Sequence, residues 1–301
     1  MINQTSRFPN AFPPPFAHAW GDDEFGLWAE CRIETTGDES VVQNFRWIEP
    51  GTFWMGSPED EPERFDDEGP QHEVTITQGF WLADTACTQA LWEAVMGNNP
   101  SRFKDDPQQP VEKVSWHGVQ VFLNRLQERL QSLLPGCQVD LPSEAEWEYA
   151  CRAGMTTPFS FGSNINPQQV NYDGNRPYRD GEKSEYREKT VPVKSLPANP
   201  WGLYEMHGNV WEWCKDGQRT YDEQAQIDPL GPMTGVNTPR CLRGGSWDII
   251  AWRARSAPRD ALQPGDAFSH VGFRFCLRSI KPGQASSVSG GIAGHGDRRE
   301  P

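Results

Sequence analysis

Hydrophobic residues recur at helical spacing only in the first half of the chain. Over residues 115–134, apolar side chains stand three or four positions apart, which predicts an amphipathic helix with Ser115 as its N-cap. A second helix is predicted over residues 88–97. A third begins at "LPSEAEWEYACRAG", where Ser143 and Glu146 form a capping box and Gly154 ends the helix.

Apolar or alternating runs that end at Pro or Gly predict strands in "FGLWAECRI" (25–33), "FRWIEPGTFWMGS" (45–57) and "HEVTITQGFWL" (72–82). No helix is predicted from Gly154 to the C-terminus. A compact domain rarely contains so long an irregular path unless something orders it, and bound metal is one candidate. The pattern predicts an α+β domain with long loops.

The two ends of the chain differ in composition from the rest. Residues 1–20 carry Pro and Phe without periodicity, which favours an extended arm, and residues 21–280 are expected to form one domain. Residues 281–301 are rich in Gly, Ser and charge and are expected to be a disordered tail. The acidic stretch "PEDEPERFDDEGPQ" (58–71) is interpreted as a solvated loop in preference to a metal site.

The net charge of the chain limits the classes of partner that it is expected to bind. A net charge of −14 repels a phosphate backbone, so nucleic acid is not expected, whereas divalent cations are accommodated easily. No apolar run reaches the roughly 20 residues of a membrane span, and no signal peptide is recognised, so a cytoplasmic location is expected. The seven cysteines form no CxxC pair and are predicted to be buried free thiols. A contact between Cys151 and Cys276 is left open.

Eight blocks in order give the chain a family resemblance: "PGTFWMGS", "EGPQHEVTI", "FWLADTACTQALWEAVMGNNPSRF", "PVEKVSWHGVQVFLNRL", "LPSEAEWEYACRAG", "NPWGLYEMHGNVWEWC", "RCLRGGSW" and "VGFRF". Over residues 22–280 the chain resembles the formylglycine-generating enzymes, or sulfatase-modifying factors. The resemblance implies a C-type lectin-like fold, with a small twisted antiparallel sheet, two helices and long irregular loops.

Carboxylates and exposed carbonyls at short spacing suit a hard cation such as calcium. Glu205 and Glu212 flank the "HGN" turn, and the resemblance implies a structural calcium ion held by their side chains with the carbonyls of Gly208 and Val210. It implies a second calcium site at Asn171, Tyr172, Glu185 and Arg187. His207 is interpreted as a structural hydrogen-bonding residue, because no second His or Cys stands at ligand spacing.

The oxidising members of the family use two cysteines after the "GGS" block to bind copper. The corresponding segment here, "DIIAWRARSAPRDALQ", contains no cysteine, and Ala251 aligns with the second catalytic position. Cys241 and Cys276 stand outside the segment. Formylglycine formation is therefore not expected, and the protein is predicted to be non-catalytic.

Residues 248–270, hereafter the insert, mix acids, bases and large apolar residues without alternation between two predicted strands, "RCLRGGSW" and "VGFRFCLRSI". Mixed exposed residues on a rigid frame are typical of a recognition surface. The block also resembles the variable proteins of diversity-generating retroelements, whose varied positions derive from Asn codons and cannot encode Lys, Glu, Gln, Met or Trp. The predicted ligand-binding residues are Asp248, Ile249, Ile250, Trp252, Arg253, Pro258, Asp260, Ala261, Leu262, Asp266, Phe268, Ser269 and His270, with Trp252 as a fixed apolar anchor.

The leading hypothesis is therefore a calcium-stabilised protein that binds an unidentified protein or other macromolecule through the insert. Two alternatives remain: a copper oxidoreductase of the formylglycine-generating type that acts on a peptide cysteine, and a structural or assembly partner in a larger system.

Overall fold

A computed structural model describes residues 7–35, 40–235 and 238–279. Within these residues it contains three α-helices, α1 (Gln89–Met96), α2 (Trp116–Arg129) and α3 (Glu144–Arg152). The side chains of Thr88, Ser115 and Ser143 cap them, and Glu146 completes the predicted capping box. All three predicted helices are confirmed, although α2 ends five residues before its predicted end.

Thirteen strands form three sheets in the described residues. They are β1 (Ala19–Asp23), β2 (Gly26–Glu34), β3 (Ser40–Ile48), β4 (Gly51–Met55), β5 (His72–Ile76), β6 (Phe80–Ala83), β7 (Cys137–Asp140), β8 (Trp211–Gly217), β9 (Gln226–Ile227), β10 (Arg240–Arg243), β11 (Arg259–Leu262), β12 (Val271–Gly272) and β13 (Cys276–Ser279). The sheet orders are β1-β2-β3-β6-β13-β7, β11-β10-β8-β12 and β4-β5-β9. Two pairings, β5 with β9 and β8 with β12, are parallel.

The α+β class is confirmed, but the arrangement of strands is richer than one antiparallel sheet with two helices. The predicted strands at 45–57 and 72–82 are each divided between two sheets: β3 and β6 belong to the six-stranded sheet, β4 and β5 to the three-stranded one. Glu49 and Pro50 separate β3 from β4, and Gly79 precedes β6, so the chain can turn from one sheet to the next.

The main core lies where α1 and α2 cover the six-stranded sheet. The ring of Trp92 on α1 stacks on Phe122 of α2 at 5.3 Å, and Phe122 meets Phe273 edge to face at 5.3 Å. Trp213 on β8 and Leu242 on β10 belong to the same buried cluster, which joins the six-stranded and four-stranded sheets into one unit. The four-stranded sheet, from which the insert projects, therefore has a rigid support.

The cysteines are free thiols, and all except the half-buried Cys137 are buried, as predicted. Cys151 and Cys276 are not bonded to each other. The described part of the arm packs against the six-stranded sheet, with Phe16 between Phe45 and Trp81. The predicted tail, residues 281–301, lies outside the described residues. No helix in the described ranges combines the length and hydrophobicity needed to cross a membrane.

Candidate ligand-binding face

The insert joins β10 to β12, but these two frame strands do not pair with each other. β8 lies between them, and the partner of β10 on its other side is β11, which is part of the insert itself. A short 3-10 turn, Ala251–Ala254, also lies in the insert. The insert therefore contains a strand although its sequence shows no alternation: tertiary pairing with β10 makes residues 259–262 a strand.

The middle of the insert is buried and is held by arginines. Arg243 on β10 is fully buried and donates to the carbonyls of Ser256, Ala257 and Pro258 as well as to the carboxylate of Glu148. A guanidinium offers five N–H donors in a fixed plane, so one side chain can fix several backbone carbonyls at once. Arg243 thereby fixes the backbone path of residues 256–258.

Arg255 ties the insert to the acidic loop. Its guanidinium pairs with Glu61 and with both oxygens of Glu68, at 2.7 and 2.8 Å, and donates to the carbonyl of Glu63 at 2.7 Å. Arg255 and Glu68 are fully buried, and Glu61 is 7% exposed. The interpretation of residues 58–71 as a merely solvated loop was wrong for Glu61 and Glu68, because both are buried as partners of Arg255. The other acidic residues of this loop are exposed, as that interpretation predicts.

Arg259 at the start of β11 is the third buried arginine that holds the insert. We call Arg243, Arg255 and Arg259 the clamping arginines. It binds both carboxylate oxygens of Glu144 on α3, at 2.6 and 2.7 Å, and donates to the carbonyl of Asp67 at 3.1 Å. Burial alone would raise the pKa of Glu144, but the guanidinium groups of Arg259 and Arg243 lower it below its usual 4.5. The three arginines thus bind residues 255–259 to β10, α3 and the acidic loop.

Twelve of the thirteen predicted binding residues lie at or near the surface; we call this set the insert face. Asp248 and Phe268 are exposed, and the other ten are half-buried: Ile249, Ile250, Trp252, Arg253, Asp260, Ala261, Leu262, Asp266, Ser269 and His270. Pro258 is buried, so its prediction as a ligand-facing residue was wrong; it lies in the stretch that Arg243 holds. Ile249 and Leu262 also pack against the core, so each has one buried side.

One end of the insert face surrounds Asp248 and His270. The Asp248 carboxylate lies 3.3 Å from Nδ1 of His270 and accepts from the Ser246 hydroxyl at 2.6 Å. Burial raises the pKa of Asp248, but the hydrogen bonds from His270 and Ser246 outweigh it and hold the pKa below 3.8. The ring of Phe268 stacks on His270 at 5.5 Å. This end presents a carboxylate, an imidazole and an exposed ring side by side.

The other end centres on Trp252 and Arg253. Arg253 pairs with Asp260 at 3.1 Å and lies over the ring of Phe65, 5.0 Å from its centroid. The guanidinium of Arg176 lies 5.8 Å from the centre of the Trp252 ring. Phe65 and Arg176 come from segments far from the insert in sequence, and no sequence signal identified them.

The turn predicted to bind calcium lies beneath the insert. Glu212 on β8 is an ion-pair acceptor: Arg274 donates to both of its oxygens at 2.7 and 2.9 Å, and Trp147 donates to one at 2.7 Å. Glu205 differs, because its Oε1 is buried without a hydrogen-bond partner. Burial raises the pKa of Glu205 to about 8. A buried carboxylate oxygen without a donor fits a cation ligand, and of the two glutamates Glu205 suits that role better.

The second predicted calcium site shows a similar contrast. Asn171 is fully buried and its Oδ1 has no partner, whereas its amide nitrogen donates to Lys189 and Asn209. Glu185 lies at the surface, paired with Arg187 at 3.0 Å, while Tyr172 is buried. Among the described residues, no three His, Cys, Asp or Glu side chains are grouped to hold a metal ion. A calcium site here would therefore draw mainly on carbonyl and amide oxygens.

Backbone hydrogen bonds join both of these segments to the insert. Asp173 donates to the carbonyl of Ile249 at 2.9 Å, and Trp211 donates to that of His270 at 2.8 Å. The amide of Gly208 donates to Gly244, whose φ of 98° and close approach to Trp147 suit glycine. The backbone of the insert is therefore bonded directly to both loops, so anything that orders the loops also orders the insert.

The insert contains no thiol, and the two cysteines that flank it in sequence are buried. Cys241 on β10 and Cys276 on β13 are fully buried in different sheets, and burial raises the pKa of each. His207 is confirmed as a structural residue: its Nδ1–H donates to the carbonyl of Ala254 at 2.7 Å, and its Nε2 accepts from the Ser160 amide. It thus adds a further contact beneath the insert.

This combination of small sheets, long ordered loops and a clamped insert near the C-terminus defines a C-type lectin-like fold. More specifically, the chain belongs to the sulfatase-modifying factor enzyme 1-like domain family, which matches residues 33–280. A similar solved structure is Treponema denticola variable protein 1, with a TM-score of 0.67, 26% identity and coverage of 83% of this chain and 99% of that one.

Two sequence relatives carry different names. A Chlamydia caviae protein named serine/threonine-protein kinase pkn1 is 32% identical over 84% of this chain, which spans only 41% of that relative's length. A formylglycine-generating enzyme of Streptomyces coelicolor is 32% identical, covering 79% of this chain and 76% of the enzyme.

Proposed function

We propose that the protein is a non-catalytic binding protein that presents the insert face to a macromolecular ligand, and that this face is diversified by a retroelement. One observation carries the proposal. The backbone of the insert is fixed by buried arginines, while twelve side chains on either side of that backbone reach the surface. Side chains that do not support the fold can change without loss of structure, and a fixed backbone lowers the entropy cost of binding.

The chemistry of the face supports a protein ligand. Trp252 and Phe268 supply aromatic contact area, and Asp248, Asp266 and His270 supply polar groups around it. Protein interfaces are enriched in aromatic anchors surrounded by polar residues. The likeness in fold to a protein named a variable protein is in accord with this role.

The diversification claim is tested by sequencing the gene and its flanking DNA from independent isolates. We expect a reverse-transcriptase gene, a near-identical template repeat and substitutions confined to the insert face other than Trp252. The clamping residues Arg243, Arg255 and Arg259 should not vary. Substitutions spread evenly over the chain, or the lack of a template repeat, would remove diversification.

The alternative activity is favoured by the formylglycine-generating enzyme among the relatives. It requires a thiolate pair for copper, and none of residues 248–270 is a cysteine. Copper(I) titration with a cysteine-containing peptide in the presence of oxygen tests it. Stoichiometric copper binding with aldehyde formation would replace the binding hypothesis.

Structural calcium is part of the proposal. The unpartnered Oε1 of Glu205 and Oδ1 of Asn171 support it, with the carbonyls of Gly208, Val210, Tyr172 and Arg187 as further oxygens. Bound calcium would order the two loops that are hydrogen-bonded to the insert.

A further inference from the structure

A cavity of about 500 Å³ lies between the arm and one end of the six-stranded sheet. Its walls are the arm on one side and Trp47, Trp81, Leu277 and residues 77–79 and 135–137 on the other. None of these residues belongs to the insert or to the turn at 205–212. Cavities that hold small molecules in proteins are roughly 300–1,000 Å³ in volume, so the size suits a ligand.

The described residues that line the cavity are uncharged. These seventeen residues include no Asp, Glu, Lys, Arg or His, although 23% of the chain is Asp, Glu, Lys or Arg. Their polar side chains are neutral: Asn10, Thr77, Gln78, Ser279 and the Cys137 thiol. An ionic ligand would lose its hydration here without gaining a countercharge, so the lining favours a neutral ligand.

Aromatic rings form the floor. Trp47 and Trp81 lie 5.4 Å apart with their planes tilted by 58°, and Phe16 of the arm meets Trp81 edge to face at 5.9 Å. Such ring surfaces favour apolar and planar groups. A few neutral polar groups around an apolar floor are typical of sites that orient small molecules.

The arm forms the outer side of the cavity. The Trp47 indole N–H donates to the carbonyl of Arg7 at 2.8 Å, and Phe12 stacks on Trp81 at 6.4 Å. Phe8, which lines the cavity, is still 67% exposed. The arm therefore contacts both Trp47 and Trp81, while the Phe8 ring at the cavity wall remains in contact with solvent.

We propose that this cavity is a binding site for an uncharged, largely apolar small molecule that carries a planar ring. The site is separate from the insert face and does not depend on the proposed function. Trp47 and Trp81 contact the ring of the ligand, and the amides of Asn10 and Gln78 bind its polar substituent.

The test uses the full chain and the neutral fluorescent probe N-phenyl-1-naphthylamine. We expect saturable enhancement of probe fluorescence with one site per chain by calorimetry. Cys137→Phe, which fills the cavity, should weaken binding by about tenfold or more, whereas the matched Cys137→Ala variant should bind as well as the parent. Trp54→Ala, which removes a 52% exposed ring from the three-stranded sheet, should have no effect.

Circular dichroism checks the fold of each variant, and Ala11→Trp provides a second filling substitution from the arm side should Cys137→Phe unfold. Equal binding by the filled and parent proteins would overturn the proposal. So would non-saturable binding, or loss of binding in Trp54→Ala.

Discussion

The middle of the insert, residues 254–259, and its two flanks, residues 248–253 and 260–270, differ in where their charged and apolar side chains lie. The usual distribution, with charges outside and large apolar side chains inside, is reversed. In the middle, Arg255 and Arg259 are buried and paired with carboxylates, whereas in the flanks the large apolar residues Ile250, Trp252 and Phe268 reach the surface. A buried charge persists only where partners surround it, and an exposed apolar side chain on a rigid backbone is available for binding. The comparison shows that Arg255 and Arg259 support the structure, whereas Ile250, Trp252 and Phe268 reach the surface, where they are accessible to a ligand.

Substitution of a clamping arginine should have the largest effect on the free energy of unfolding. Arg255→Met leaves Glu61 and Glu68 buried without their cation, and we expect a loss of about 3–5 kcal/mol in the free energy of unfolding. Urea denaturation measures it. Arg253→Met is the matched control, since the Arg253–Asp260 pair is about one-third exposed and should contribute under about 1 kcal/mol. Equal losses from the two variants would contradict the distinction between middle and flanks.

Removal of calcium should have the second-largest effect on stability. An ion that binds only the folded protein stabilises it by about 2.7 kcal/mol at one hundred times its dissociation constant. Chelation with EGTA should lower the melting temperature, and added calcium should restore it, as followed by differential scanning calorimetry.

Glu205→Gln should lose much of this response because its oxygen is the unpartnered one. Glu185→Gln should lose little of the response to calcium, because the Glu185 carboxylate is exposed and paired with Arg187. An unchanged melting temperature on chelation of the parent protein would exclude the structural calcium.

Low pH should weaken the ion pair between Arg259 and Glu144. Because the folded-state pKa of Glu144 is depressed, its ionised form contributes stability above about pH 4.5, and that contribution is lost as pH falls further. Glu144→Gln cannot titrate, so its stability should fall less steeply than that of the parent protein between about pH 5 and 3. Urea midpoints measured across this range give both slopes. Parallel curves would show that Glu144 does not contribute.

Substitution within the flanks should have the smallest effect. Phe268→Asn changes a side chain that is 44% exposed and should alter the free energy of unfolding by less than about 0.5 kcal/mol. Ile249→Asn should be costlier, by about 1–3 kcal/mol, because Ile249 packs against two buried clusters. Thermal denaturation of both variants separates freely exchangeable positions from those that also serve the core.

The sequence by itself determined the three helices, because their spacing and caps are local. It also identified the fold class and the free thiols, and twelve of the thirteen binding residues that it predicted in the insert lie at or near the surface.

Only the tertiary structure decided which charges are internal. Arg255 meets Glu61 and Glu68 from almost two hundred residues away, and no local pattern separates those carboxylates from solvated ones. The same holds for Pro258, whose burial follows from the position of Arg243, and for β11, which exists because β10 lies beside it. Pairing between distant segments depends on the whole fold, whereas helix caps and turns depend on a few neighbouring residues.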